Sequence, residues 1–271
     1  MPPVWFYDLM YRWHAPWEMG ARAELVALVE SGRVTPELLA PGRAVALGCG
    51  AGANAVFLAQ AGFDVVGIDF SPVALSKARR AALTAGVSER VHLVCADLTA
   101  QSLPSVEGPF DLLVDYGTLD DLAPTDRRAM AATIIRLARP GSIFVLHAFQ
   151  AARTDLPRFS LTGPSRLVPV LEPGEEVELF GEAFEIERLP EPRPEHLTAA
   201  FVMTRRDHRA ADGAGHERVC RLHPPSRSLI PSRKGSPVEA RSQARRVALR
   251  GRSGRRSSWA VDWSTRGCQQ P

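Results

Sequence analysis

The chain has 271 residues, 45% of them hydrophobic, and a formal net charge of +3. Length and composition suit one large globular domain with a sizeable core and an appendage. They exclude a membrane-spanning helix, since no apolar run approaches the ~18–20 residues a span needs. Met1 to Trp13 is aromatic and polar, without the basic start and apolar middle of a secretory signal, so a cytoplasmic protein is expected. The four cysteines, Cys49, Cys95, Cys220 and Cys268, include no CxxC pair of the kind that binds zinc or runs redox chemistry, and no metal is expected.

The modest net charge hides two unlike parts. From Asp207 onward there are 14 basic and 5 acidic residues, and before it 19 basic and 25 acidic. The boundary at about Arg206 separates an expected globular domain, residues 1–206, from an Arg-, Ser-, Gly- and Pro-rich tail, residues 207–271, expected to be disordered because it has too little apolar surface to offset chain entropy. Three readings of the tail stay open: a solvated extension, a segment attracted to nucleic acid or another acidic partner through its clustered arginines, or the product of a shifted reading frame in GC-rich DNA, given its use of Arg over Lys.

In chain order, Trp5, Phe6, Tyr7, Tyr11, Trp13 and Trp17 crowd the first segment. They read either as core or as a lid over a ligand, with Tyr7, Tyr11, Trp13, His14 and Trp17 the lid candidates. Glu18 to Gly32 has helical spacing through Leu25, Leu28 and Val29, and residues 1–35 are taken as part of the domain. Arg43 to Leu47 predicts a first strand, Ala53 to Ala61 a helix stopped by Gly62, and Phe63 to Ile68 a second strand. Ser71 and Pro72 predict an N-cap and first turn for a helix reaching about Ala85. Val91 to Cys95 and Phe110 to Asp115 predict strands three and four. Pro124 to Ala138 reads as a helix, with Thr125 a candidate N-cap. Pro140 and Gly141 turn the chain into a strand over Ser142 to Leu146. A short helix is predicted over Ser165 to Leu171, then strands over Phe184 to Leu189 and Leu197 to Met203. Alternating strands and helices predict a parallel sheet covered on both faces.

The main functional signal is Leu47-Gly48-Cys49-Gly50-Ala51-Gly52 between a strand and a helix. Glycines let a ligand approach the backbone, and the following helix offers unpaired N–H groups. Asp69 ends the second strand, where open α/β sheets place a carboxylate for ribose hydroxyls. Ala96-Asp97-Leu98 follows the third strand and puts another carboxylate at the same edge. Spacing alone leaves a dinucleotide open, because Ala53 can stand at the third position of a GxGxxG/A fingerprint.

The run AVALGCGAGANAVFLAQAGFDVVGIDFSPVALSKARR resembles the first two motifs of class I S-adenosylmethionine-dependent methyltransferases. CADL resembles their adenine-contacting turn, and FDLLVDYGTLDDL their fourth-strand motif. The amino-terminal YDLMYRWHAPWEMG resembles the small-molecule, thiopurine methyltransferase-like branch. The resemblance implies an α/β Rossmann-like three-layer sandwich, with a seven-stranded, mostly parallel sheet whose antiparallel last strand is inserted beside the fifth. It implies S-adenosylmethionine as cofactor: Gly48, Cys49, Gly50, Ala51 and Gly52 along its methionine part, Asp69 on the ribose with Ser71 next to it, Phe70 flanking the adenine, and Ala96, Asp97 and Leu98 at the adenine, with Asp97 facing its amino group. Asp115 and Tyr116 would lie near the sulfonium. The branch often has an acidic residue two positions before the first glycine; here it is Ala46, and a carboxylate for the cofactor's ammonium is missing.

The expected activity is methyl transfer to O, S or N of a small molecule. Such chemistry needs at most one base, and the candidates near the pocket are Asp115, Tyr116, Asp120, Asp121 and His147; of these, Asp115, Tyr116 and His147 are taken as catalytic, and Asp120 and Asp121 are read rather as capping or facing solvent. There is no NPPY-like run after the fourth strand, which argues against methylation of nucleic-acid amino groups by the body of the chain. The expected partner is a small-molecule methyl acceptor, without membrane contact; the oligomeric state is not legible. Two other readings remain: a cofactor-binding protein with little turnover, motivated by Ala46, and an NAD-dependent oxidoreductase, against which CADL and DYGT argue.

Overall fold

The computed structural model describes residues 3–158, 169–190 and 197–207. In chain order they form α1 (Val4–Trp13), α2 (Ala23–Glu30), β1 (Arg43–Leu47), α3 (Ala53–Gln60), β2 (Asp64–Asp69), α4 (Pro72–Thr84), β3 (Val91–Cys95), β4 (Phe110–Tyr116), α5 (Pro124–Leu137), β5 (Ala138–Phe149), α6 (Glu175–Phe180), β6 (Phe184–Arg188) and β7 (Thr198–Arg205). The seven strands make one sheet in the order β3-β2-β1-β4-β5-β7-β6. β1 to β5 run parallel, and β7 lies antiparallel between β5 and β6. The expected Rossmann-like sandwich with an antiparallel last strand beside the fifth is the observed fold.

The period of two along each strand divides the core between the faces. Val45 and Leu47 of β1, Leu113 of β4, and Phe144 and Leu146 of β5 pack with Met130, Ile134 and Leu137 of α5 and Phe180 of α6. Their neighbours Ala44, Ala46, Leu112, Val114 and Val145 pack with Leu25 and Leu28 of α2, Leu58 of α3 and Ala78 of α4. Strands buried on both faces explain the near-continuous apolar runs that made them recognisable. A third, smaller cluster of Tyr11, Ala15 and Ala74 seats α1 on α4.

Several boundaries differ from the sequence expectation. α1 was not anticipated as a helix, because aromatic residues are indifferent helix formers and its support is tertiary. The second helix starts at Ala23 rather than Glu18. Glu18 instead folds back, accepting from Ala15 N–H at 3.0 Å and pairing with Lys77 at 2.7 Å. The N-cap of α5 is Ala123, with Pro124 at the first helical position, not Thr125. β5 begins at Ala138, directly after α5, and its register with β4 shifts between Phe110 and Leu112. α6 was missed, since EEVELF is short and mostly charged. Most of the predicted helix 165–171 and most of the tail lie outside the described residues.

Phe144, Phe180 and Phe184 form an edge-on cluster, with Phe144 and Phe180 centroids 5.3 Å apart. Phe180→Ala is expected to destabilise the fold by about 3–5 kcal/mol, read as a lower urea midpoint without a change in slope.

Candidate active site

The order 3-2-1-4-5 reverses direction between β1 and β4, so the carboxyl ends of β1, β2, β3 and β4 open on one crevice. The crevice is a cavity of about 1420 Å³ that runs from the glycine loop to His147 and Phe149 at the end of β5.

Its floor is the loop after β1. Gly50 has φ +53°, and a Cβ there would lie 2.6 Å from the Tyr11 hydroxyl, so only glycine admits this close lid. Gly52 (φ +88°) is the N-cap of α3, and no side chain caps that helix. Asp69 fixes the loop. Its Oδ2 accepts from Gly50 N–H at 2.8 Å, and Oδ1 accepts from Ser71 N–H at 2.9 Å. The carboxylate is buried, and desolvation raises it to about 6 against the Ser71, Gly50 and Phe70 N–H groups. Asp97 is exposed to the crevice. Its Oδ1 is held by Thr99 N–H and Oγ1 at 2.8 and 2.7 Å, and its Oδ2 has no partner among the described residues. Burial pushes the Cys49 thiol up, so it stays protonated.

The amino-terminal segment covers the loop. Tyr7 and Tyr11, one helical turn apart on α1, face the cavity with Trp17. Tyr7 OH donates a short hydrogen bond to Asp121, Trp17 Nε1 donates to Tyr11 Oη at 2.9 Å, and Ser71 Oγ donates to Asp8 at 2.5 Å. Burial and the Asp121 carboxylate raise the Tyr7 hydroxyl. At the far wall Tyr116 and His147, paired across β4 and β5, stack with centroids 5.5 Å apart.

Of the residues singled out in the sequence, Gly48, Cys49, Gly50, Ala51, Asp69, Phe70, Ala96, Asp97, Leu98, Tyr116, His147, Tyr7, Tyr11 and Trp17 line this cavity. Five do not. Gly52 is turned onto Ala78 of α4. Ser71 is buried beneath, where its Oγ accepts from Ala74 N–H at 3.1 Å and caps α4 as expected. Asp115 is not a wall residue: it is fully buried, and its two oxygens accept from Thr118 and Leu119 N–H at 3.0 and 2.9 Å. Burial lifts it to about 6. Trp13 is 83% exposed, because the helical period carries it away from the Tyr7–Tyr11 face. His14, beyond the end of α1, meets only Glu18 at 3.2 Å on the outside.

Two residues read as capping or solvent-facing belong to the wall instead. Asp120 is 3% exposed and Asp121 half-buried, and both line the cavity. Desolvation and the nearby Asp115 charge push Asp120 to about 7, opposed by Phe149 N–H. The only sequence signal was the doubled carboxylate in TLDDL just after a buried strand. Glu24, in the first turn of α2, also lines the cavity and was not singled out.

The titration of Asp120 has a defined effect on stability. Below about pH 3.8 it is protonated in folded and unfolded chains alike. As pH rises from 3.8 through about 7, the unfolded chain ionises first, and the folded state loses stability relative to it. Asp120→Asn removes this loss, so the Tm difference between variant and wild type is expected to grow by several degrees between acidic and mildly alkaline buffer in scanning calorimetry.

Comparison with known proteins agrees with this geometry. Residues 44–141 match the model of a methyltransferase domain. The chain is 27% identical over 155 residues to the 2-heptyl-1-hydroxyquinolin-4(1H)-one methyltransferase of Mycobacteroides abscessus, covering 54% of this chain and 64% of that protein. It is 30% identical over 102 residues to an uncharacterized methyltransferase of Schizosaccharomyces pombe, covering 38% of this chain and 68% of that one. Of other curated relatives it spans 48% and 41%. The glycopeptide N-methyltransferase MtfA, solved with S-adenosyl-L-methionine, superposes with a TM-score of 0.54 at 18% identity, covering 70% of this chain and 96% of that one. With the family match lying across β1 to β5, the glycine loop and both strand-end carboxylates, the chain belongs to the S-adenosylmethionine-dependent methyltransferase family.

Proposed function

We propose that this protein methylates a hydroxyl, thiol or amine of a small, partly apolar molecule, in the manner of the thiopurine methyltransferase-like branch. The observation that carries this reading is the convergence of Gly50, Asp69 and Asp97 on one cavity roofed by α1. When bound, the cofactor supplies a methyl group on a sulfonium, so the protein's work is orientation and exclusion of water.

The residues present fit an adenosyl group. The Asp69 carboxylate, anchored by the Gly50, Ser71 and Phe70 N–H groups, would accept the ribose hydroxyls with its remaining lone pairs. Asp97 Oδ2 would accept from the adenine amino group, between the apolar flanks of Phe70, Ala96 and Leu98. Backbone from Gly48 to Ala51 would line the methionine part. Ala46 leaves no carboxylate on β1 for the ammonium, and Glu24, which makes no ion pair among the described residues, is the acid on the same cavity that would replace it. Tyr7, Tyr11 and Trp17 would exclude water, and Tyr116 and His147 would face the acceptor. Cys49, held protonated, is not a nucleophile in this scheme.

A hydroxyquinolinone methyltransferase among the relatives supports a flat, apolar acceptor carrying a hydroxyl. The cofactor-binding protein with little turnover is the second reading, favoured by Ala46. The functional unit is proposed to end near Arg206, just past β7.

Calorimetry with S-adenosylhomocysteine tests the core of this reading. Wild type is expected to bind, and Asp69→Asn to lose about tenfold to a hundredfold in affinity, because hydrogen bonds to a charged acceptor are lost. No binding by folded wild type would contradict it. Removal of residues 208–271 is expected to leave that affinity unchanged. Labelled-cofactor assays on phenols, thiols and amines then separate turnover from binding alone.

A further inference from the structure

We propose that Asp120 is the catalytic base of this site: its buried, unpartnered Oδ1 takes the proton from the acceptor, which is therefore a neutral X–H nucleophile and not a carboxylate or phosphate. The inference rests on the methyltransferase reading above and adds the residue and the acceptor's charge class.

The geometry is that of a prepared group. Asp120 is 3% exposed and lines the cavity. Oδ2 accepts from Phe149 N–H at 3.0 Å, which fixes the plane of the carboxylate. Oδ1 has no partner among the described residues. Leaving a buried carboxylate oxygen unsatisfied is costly, and folds rarely do so without a use for it.

The backbone beneath is clamped. Arg127 of α5, itself 2% exposed, donates to Leu119 O at 3.2 Å and to Asp120 O at 2.9 Å. Arg127 is held in turn by Val170 O at 2.8 Å and Glu175 at 2.7 Å. A guanidinium committed to three carbonyls and Glu175 positions Asp120 without pairing with its carboxylate. The other titratable groups around Asp120 are Asp115 of β4, Asp121 beside it under the Tyr7 hydroxyl, and His147 of β5, which lines the same cavity. With burial, the two carboxylates bring Asp120 near neutrality, where a base both is ionised and accepts a proton readily.

The proton balance fits. The acceptor's X–H bond breaks, its electron pair forms the new bond to the methyl carbon, and the proton goes to Asp120 Oδ1. The pair of the C–S bond returns to sulfur. One negative and one positive charge vanish together, so the buried site ends neutral. An anionic acceptor would meet Asp120 and Asp121 instead, and like charges at close range are disfavoured.

The test uses the full chain saturated with S-adenosylhomocysteine. Infrared difference spectra across about pH 5 to about pH 9 are expected to contain a protonated-carboxyl component titrating near neutrality. Its amplitude falls in Asp120→Asn to what Asp69 and Asp115 contribute and is unchanged in His147→Gln. Phenol is expected to bind the wild-type complex at least about tenfold tighter than benzoate, with the preference largely lost in Asp120→Asn. For whichever of phenol, thiophenol or aniline is methylated, Asp120→Asn lowers kcat about a hundredfold or more with little change in KM, and Asp120→Glu restores part of it. An unchanged carboxyl amplitude in Asp120→Asn, or equal binding of benzoate and phenol by wild type, overturns the proposal while leaving cofactor binding intact. Failure of wild type to bind S-adenosylhomocysteine at all sinks the parent reading and this one with it.

Discussion

One carboxylate organises the cofactor end of this molecule. Asp69 takes N–H groups from Gly50, in the loop after β1, and from Ser71, in the turn into α4. Ser71 in turn caps α4 and donates to Asp8 on α1. Three segments distant in sequence are thus tied by a chain of polar contacts running from the second strand to the lid. Burying that charge is unfavourable, as its raised pKa records. The two backbone donors offset part of the cost, and a ribose would offset more.

The same economy recurs at the other end of the cavity. Asp115 and Asp120 lie close enough for the charge of one to raise the other, yet they do different work. Asp115 spends both oxygens on the turn that follows β4 and so builds the wall. Asp120 spends one on Phe149 N–H, and its other oxygen is buried without a partner among the described residues. Between the two ends, Tyr7 joins α1 to Asp121, so the roof over the loop is also fastened to the acceptor wall. Glycine loop, α1 and the far wall of the cavity are joined by these contacts at the sheet's carboxyl edge.

What the sequence made legible follows from where the governing forces are local. RAVAL and VHLVC delimit β1 and β3 to the residue, because strands buried on both faces must be apolar throughout. Ser71-Pro72 announces α4 because capping is a short-range interaction. The glycine loop, Asp69 and Asp97 could be placed together because strand ends in a parallel sheet share an edge. The misassignments are all tertiary. Which aromatics of α1 turn inward depends on its seat against α4, so Trp13 and His14 could not be told from Tyr7 and Tyr11. Asp115 and Asp120 are chemically identical in sequence, and only the path of the turn decides which oxygen is spent on backbone. α6, short and acidic, owes its place to contacts such as Arg127 with Glu175.

The central claim is that a single adenosyl group sits between Asp69 and Asp97 above the glycine loop. A crystal structure of the protein grown with S-adenosylhomocysteine tests it directly. The account predicts density with the ribose hydroxyls on the Asp69 carboxylate and the adenine amino group on Asp97. Density for the ligand outside this crevice, or within it with neither aspartate in contact, would contradict it.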